Sequence, residues 1–208
     1  MAEEWKSVDH ALGYLARADR VPHRTEGEGT VLEEISENAW RILDLGSGDG
    51  RLLNLVLLKC PNASGVALDF SPPMLEKLHE RFGENDDVEI IEHDMQHPLP
   101  ETLGQFDTVV SSFAIHHLED QRKKELYREV WQILTPGGVF CNLEHVSSPT
   151  PALHRTFFEC LGENVEEEDP SNKLLDVETQ LQWFREIGFR EVDCHWKWRE
   201  LALLAGRK

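Results

Sequence analysis

Positive charge is scarce in this chain. Lys and Arg number 21 against 39 Asp and Glu in 208 residues, a formal net charge of −18. Binding to nucleic-acid phosphates depends on basic groups that release counterions, so nucleic acid is a poor expected partner. Long apolar runs are missing too. None reaches the roughly 18 residues that a membrane helix needs, and no membrane partner is expected. The amino terminus, Met1-Ala2-Glu3-Glu4-Trp5, lacks the basic and apolar regions of a signal peptide, so a cytoplasmic protein is the expectation. Cysteine is sparse, and Cys60, Cys141, Cys160 and Cys194 form no Cys-x-x-Cys pair. Free structural thiols are expected, with neither disulfide nor metal. What remains is ordinary for one soluble domain with a substantial core: 40% hydrophobic and 29% charged residues, and no internal repeat.

The most informative stretch is Ile42-Leu43-Asp44-Leu45-Gly46-Ser47-Gly48-Asp49-Gly50, followed by the apolar helical segment Arg51 to Lys59. It reads as a buried strand, a tight turn and a helix whose first amides face a ligand. Glycine serves there because a Cβ resists positive φ and blocks a ligand lying against the backbone. A dinucleotide site wants Gly-x-Gly-x-x-Gly and a P-loop wants Gly-Lys-Ser/Thr. Gly-x-Gly-x-Gly without lysine meets neither, and Asp44 at the strand end repels a phosphate but welcomes a cation.

Beyond this turn strands and helices alternate, which predicts a parallel sheet with helices on both faces. Gly65 to Asp69 is the second strand, and Ser71 caps a helix striped by Met74, Leu75, Leu78 and Phe82. Val88 to Glu92 and Phe106 to Ser112 are the third and fourth strands. Asp120 caps a long helix to Leu134, stopped by Pro136-Gly137-Gly138 before a fifth strand, Val139 to Glu144. Residues 147–173 break the rhythm and read as a lid-like insertion with at least one helix. A helix from Leu175 to Ile187 and strands Glu191 to Trp196 and Glu200 to Ala205 complete the domain. Ahead of the core, residues 1–29 form a helix (Val8 to Ala18) and a loop (Val21 to Gly27), an arm over the ligand site. The domain proper spans 30–208.

Three strand ends carry carboxylates. Asp44 suits a cationic group, Asp69 can accept ribose hydroxyls with Phe70 packing on an adenine, and Asp94 can accept the adenine amino group. Together with Leu68-Asp69-Phe70-Ser71-Pro72-Pro73-Met74, Glu92-His93-Asp94, Phe106 to Ser111, Ile115-His116-His117-Leu118 and Leu134-Thr135-Pro136-Gly137-Gly138, these positions resemble class I S-adenosylmethionine-dependent methyltransferases. The resemblance implies a Rossmann-like, seven-stranded, mostly parallel sheet with an antiparallel last strand in an α-β-α sandwich. It implies S-adenosylmethionine as cofactor. Asp44, Gly46, Ser47, Gly48 and Gly50 would then cradle the methionine moiety, and Asp69 would hold the ribose. Phe70 and Met74 would flank the adenine, Asp94 and Met95 would read its amino edge, and Ser111 would reach the methionine end by its backbone.

Methyl transfer from a sulfonium needs alignment and exclusion of water more than a dedicated base, so few indispensable catalytic side chains are expected. His117, Glu144, His145, His154, Arg155, Phe157 and Trp183 are pocket candidates. Their mix of aromatic and polar groups points to a small organic acceptor; a monomer or homodimer is the expected assembly. His116 and His117 are adjacent, so on a strand they point to opposite faces and make poor joint metal ligands. Two alternatives stay open: a synthase of a carboxylated S-adenosylmethionine, for which Lys173 and Arg185 are the cationic candidates, and a cofactor-binding protein without turnover. An oxidoreductase fits worse, since the glycine spacing is wrong and Tyr127 has no Tyr-x-x-x-Lys partner.

Overall fold

The computed structural model describes residues 3–18 and 21–208. Its centre is a seven-stranded sheet in the order β3-β2-β1-β4-β5-β7-β6. The strands are β1 (Arg41–Leu45), β2 (Ser64–Asp69), β3 (Val88–Glu92), β4 (Phe106–Ser112), β5 (Leu134–His145), β6 (Arg190–Trp198) and β7 (Leu201–Arg207). Pairing from β3 through β5 is parallel, while β7 runs antiparallel to both β5 and β6. This is the expected architecture, including the reversed last strand.

The central strands are continuously apolar because helices cover both faces. Alternate β1 side chains feed different cores. Leu43 and Leu45 join Val109, Phe140, Tyr127 and Phe184 under α5 (Asp120–Ile133) and α7 (Val177–Ile187). Ile42 joins Val110, Cys141, Leu53, Val56 and Val31 under α2 (Arg24–Glu34), α3 (Arg51–Lys59) and α4 (Pro72–Phe82). Asp44 shares parity with Ile42, so the pleat sends it to this second face. The sheet edge β6 shows the alternating exposure of a half-covered strand.

Several local expectations need correction. Residues 24–27 are the first turn of α2 rather than loop. Asp120 is the first helical residue of α5, paired with Lys123 at 2.9 Å, and Glu119 takes the cap position without a side-chain bond. Ser71 does precede α4, but its hydroxyl donates to the Trp5 carbonyl instead of capping. That bond ties the amino-terminal segment, including α1 (Val8–Ala18), to the sheet end, where Trp5 and Ala11 pack with Phe70 and Met74. Residues 147–173 carry α6 (Pro151–Leu161) and a short 3-10 turn, Val165–Glu167. α6 rests by Phe157 and Phe158 on Leu201. Trp183 is half-buried against the α5/α7 core with Lys124 over its ring, far from any pocket lining.

The ring of Phe184 is fully buried, with centroids 4.8 Å from Tyr127, 5.3 Å from Phe140 and 5.0 Å from Phe189. Phe184→Ala should therefore cost about 3–5 kcal/mol, read as a lower midpoint in equilibrium urea denaturation. Trp183→Ala, one residue away on the wetter face of α7, should cost less than half as much. Equal losses would contradict the assignment of helix faces.

Candidate functional site

The carboxyl ends of β1, β2 and β4 open onto a cavity of about 730 Å³, walled on its outer side by Trp5, Leu15 and Arg24. Asp44, Gly46, Ser47, Gly48, Asp69, Phe70 and Met74 line it, as expected. Their geometry follows from the turn. Gly46, Gly48 and Gly50 have φ of 68°, 57° and 78°, a region L side chains rarely adopt. Close packing adds a second reason at two of them. A Cβ on Gly46 would come within 2.4 Å of the Ala114 Cβ, and one on Gly50 within 2.4 Å of Phe82 Cε2. At Gly48 a Cβ would meet nothing within 4 Å, so of the three it is the position that leaves room for a ligand.

Asp44 is 1% exposed, and neither carboxylate oxygen has a hydrogen-bond partner among the described residues. Burial pushes its pKa from 3.8 up to about 7, against the weaker pull of the nearby Ser47 hydroxyl and Leu53 amide, with the negative charges of Asp69 and Asp49 adding to the rise. Ser112, also on the lining, has a buried hydroxyl with no partner among the described residues. Asp69 differs. Its Oδ2 accepts the Gly48 N–H at 2.8 Å, and its Oδ1 accepts the N–H groups of Phe70 and Ser71 at 2.8 and 2.9 Å. Burial still raises it to about 6, against the pull of these three bonds. A carboxylate has about four lone-pair sites, so the three main-chain bonds leave one on Oδ2 for a hydroxyl.

Four expected cofactor residues lie off this lining. Gly50 sits behind it, at the head of α3. The Ser111 hydroxyl donates inward to the Leu45 carbonyl at 2.8 Å, and Ser112 faces the cavity in its place. Met95 is fully buried in the α5/α7 core. Asp94 is half-buried at the end of β3 and accepts from the Gln96 amide at 2.9 Å. Its loop is anchored by Arg122, whose guanidinium donates to the Met95 and His97 carbonyls at 2.7 and 2.9 Å.

A second cavity of about 620 Å³ adjoins the first, and Trp5, Arg24, Phe113 and His117 line both. Phe113 holds a φ of 52°, a strained value for a bulky residue. His145 and Phe157 line the second cavity, as expected for an acceptor pocket. With His117 they are the expected candidates that reach it; Glu144, His154, Arg155 and Trp183 do not. Glu144 lies deeper and accepts a 2.6 Å bond from His116 Nδ1; burial pushes Glu144 up to about 7 and His116 well below its usual range. His154 stands outside the lining with Nδ1 at 3.0 Å from Glu200 and Nε2 at 3.3 Å from Glu168. Glu200, fully buried, also meets His145 at 3.0 Å. Arg155 is exposed on α6, and the exposed Lys173 and Arg185 line neither cavity. The two adjacent histidines are not on a strand: they share the 3-10 turn Ile115–His117, with ring centroids 4.0 Å apart. Sequence reasoning missed Trp5, Arg24, Phe113 and Ser112, which come from an arm, an unexpected helix and a turn with no motif.

A family model described as a methyltransferase domain matches residues 42–138. An uncharacterized methyltransferase of Geobacillus sp. strain WCH70 is 31% identical over 168 residues, 76% of this chain and 74% of its own length. A demethylmenaquinone methyltransferase of Clavibacter sepedonicus is 30% identical over 168 residues, 74% of this chain and 66% of its own. The chain spans between 44% and 66% of the lengths of three curated relatives it matches. Among solved structures, the putative methyltransferase in complex with the Haloferax volcanii Trm112 methyltransferase activator aligns with a TM-score of 0.72 and 18% identity. That alignment covers 100% of this chain and 98% of the other.

A raised carboxylate pKa has a fixed sign in stability. Below the unfolded value of 3.8 Asp44 is protonated in both states and costs nothing. Between there and about 7 the folded state holds the proton longer, so stability falls as pH rises, and the full loss is in place above about 7. Asp69, raised to about 6, acts in the same direction. Asp44→Asn lacks this loss. The ligand-free variant should melt several degrees above wild type at pH 8, with the gap closing by pH 4. Calorimetric melting scans across pH check this, and a variant melting lower at pH 8 would contradict it.

Proposed function

The chain belongs to the class I S-adenosylmethionine-dependent methyltransferase family, and from that premise we propose that it transfers a methyl group from S-adenosylmethionine to a small organic acceptor by in-line displacement. The observation that carries the reading is the pair of adjoining cavities with a shared wall at Trp5, Arg24, Phe113 and His117. One has the cofactor's complement: an unpartnered buried carboxylate for a cationic amino-acid end, a glycine turn with room at Gly48, and Asp69 with Phe70 and Met74 for a nucleoside. The other has room for an acceptor.

When bound, S-adenosylmethionine supplies an electrophilic methyl group on a sulfonium with a neutral leaving group. This chain's residues bind, orient and exclude water. Asp44 gives up its proton to meet a cation, which lowers the cost of its own burial. The segment before α2 acts as an arm whose Trp5 and Leu15 close the cofactor side. Residues 147–173 act as a lid on the acceptor side, pinned by Phe157, Phe158 and the His154–Glu200 contact. A cytoplasmic site of action belongs to the proposal and is supported by four free thiols.

The alternatives have less support. A carboxylated cofactor needs cationic groups beside the sulfonium, yet Lys173 and Arg185 lie elsewhere, and Arg24 and Arg51 both bond the buried Glu28, each by its Nε, at 2.9 and 2.8 Å. A binding protein without turnover leaves the second cavity without a purpose.

Calorimetry should show micromolar or tighter binding of S-adenosylmethionine and S-adenosylhomocysteine, weakened at least about tenfold in Asp44→Asn. Mass spectrometry of copurifying ligand should return these molecules without a carboxylated derivative. Transfer of labelled methyl to some member of a small-molecule acceptor panel should follow. No binding by folded wild-type protein would overturn the proposal, and binding without transfer to any acceptor would favour the non-catalytic reading.

A further inference from the structure

The second cavity contains a hydrogen-bonded chain that methyl transfer does not by itself require. His117 Nδ1 lies 2.8 Å from the Ser171 hydroxyl, and that hydroxyl lies 2.7 Å from Asp169 Oδ1, which also accepts the Ser171 N–H at 2.8 Å. A hydroxyl has one proton to give. The carboxylate can only accept, so the Ser171 proton goes to Asp169 and its oxygen accepts from His117 Nδ1–H. The chain of donors therefore fixes the tautomer: His117 carries its proton on Nδ1 and its lone pair on Nε2.

That Nε2 has no hydrogen-bond partner among the described residues. The residue is 7% exposed, its ring is held against Trp5 at 5.2 Å and His116 at 4.0 Å, and it lies on the wall common to both cavities. Burial first, then His116, depress His117 to about 3, so the ring is neutral near pH 7. Burial works to raise Asp169, but the two Ser171 hydrogen bonds oppose it and the carboxyl is held below its ordinary range, so it is ionised. His10 Nε2 stands 3.4 Å from the other Asp169 oxygen. A neutral imidazole with its lone pair directed by an ionised carboxylate through one hydroxyl is the arrangement of a general base.

The same lining carries a sign. Glu163, Glu167, Glu168 and Asp169 lie along it, and Arg24, its cationic side chain, has its Nε taken by Glu28. Trp5, Phe113, Phe157 and Phe158 supply aromatic surface. An anionic acceptor would meet net repulsion there, whereas an uncharged or cationic aromatic molecule would not.

We infer that His117 Nε2 takes the proton of an uncharged or cationic aromatic X–H acceptor bound in the second cavity, with Ser171 and Asp169 as positioning residues. The inference rests on the methyl-transfer reading. In the step, X forms a bond to the methyl carbon while the sulfur–methyl bond breaks and its electron pair stays on sulfur. As the bond to carbon forms, the X–H group becomes strongly acidic, and its proton then passes to the weakly basic Nε2, where Asp169 meets the imidazolium charge through Ser171.

Long-range proton–nitrogen NMR on the uniformly labelled full chain reads the tautomer without any turnover, with the His117 signals identified by their loss in His117→Gln. Wild type should show the Nδ1–H form, and Ser171→Ala and Asp169→Asn should shift it towards a mixture. An Nε2–H form in wild type would overturn the inference. Calorimetry with S-adenosylhomocysteine on the same samples separates the two readings: absent binding sinks the cofactor site and leaves the tautomer result standing. On a panel of phenols, aromatic amines and aromatic carboxylates, transfer should favour the first two. With the best acceptor His117→Gln should lower kcat about 100-fold. Asp169→Asn should lower it about tenfold with KM within about threefold, and Asp169→Glu should recover part of that loss. Preference for carboxylates, or an unchanged kcat in Asp169→Asn, would also overturn it.

Discussion

A carboxylate held out of water at the tip of the central strand sets the terms for the rest of this structure. Asp44 is placed on the α3 face by the pleat of β1, and it is buried because α2, α3 and the amino-terminal arm surround that strand end. Desolvation there is unfavourable for an ion, and the nearby Ser47 and Leu53 polar groups offset only part of it. A sequence selected for stability alone would place an amide or an apolar group at this position. On the proposed reading a cation entering the cavity recovers that cost, and part of the binding preference of the site is then stored as native-state instability. The groups around it keep this end of the cavity polar: the left-handed turn, the Gly48 opening, the Asp69 carboxylate knitted to three main-chain amides.

The sequence made the sheet and the β1 turn legible because both are local. Period-two and period-3.6 patterns and alternating glycines are set within ten residues, and the parallel sheet follows from their alternation. Even so, the glycines were partly right for the wrong reason. Gly46 and Gly50 yield their Cβ to Ala114 and Phe82 as much as to any ligand, which are neighbours brought by β4 and α4. The helix of residues 24–34 was hidden because Gly27 and Gly29 lower helix propensity. Burial of Val31 in the α2/α3 core outweighs that. Trp183 shows the reverse error: an aromatic residue in a polar stretch suggested a pocket, but its register on α7 places it against the core.

The acceptor side was far less legible, since it is made almost entirely by long-range contacts. His117 reaches Ser171 across 54 residues and His116 reaches Glu144 across 28. No spacing rule anticipates such pairs. The adjacent histidines were read as strand residues with opposed side chains, whereas the chain leaves β4 in a strained turn at Phe113 and enters a 3-10 turn that stacks the rings. A 3-10 turn has three residues per repeat, so neighbouring side chains diverge by about 120° instead of 180°, and both rings reach the second cavity while His116 also bonds Glu144 behind it.

The division of labour between the two cavities follows from where their residues originate. Cofactor groups come from strand ends, whose positions are fixed by the sheet register and tolerate little change. Acceptor-side groups come in part from the arm and from residues 147–173, which contact the sheet through Trp5, the His23–Trp198 ring pair, α6 and the Glu200 cluster. Such segments can change sequence without disturbing strand pairing. The acidic excess of the chain is consequently free to enter the acceptor wall, where Glu163, Glu167 and Glu168 carry no obligation to the core. Charge that is only a solubility device elsewhere on the surface becomes, in a cavity with low-dielectric aromatic walls, a selector of what can enter.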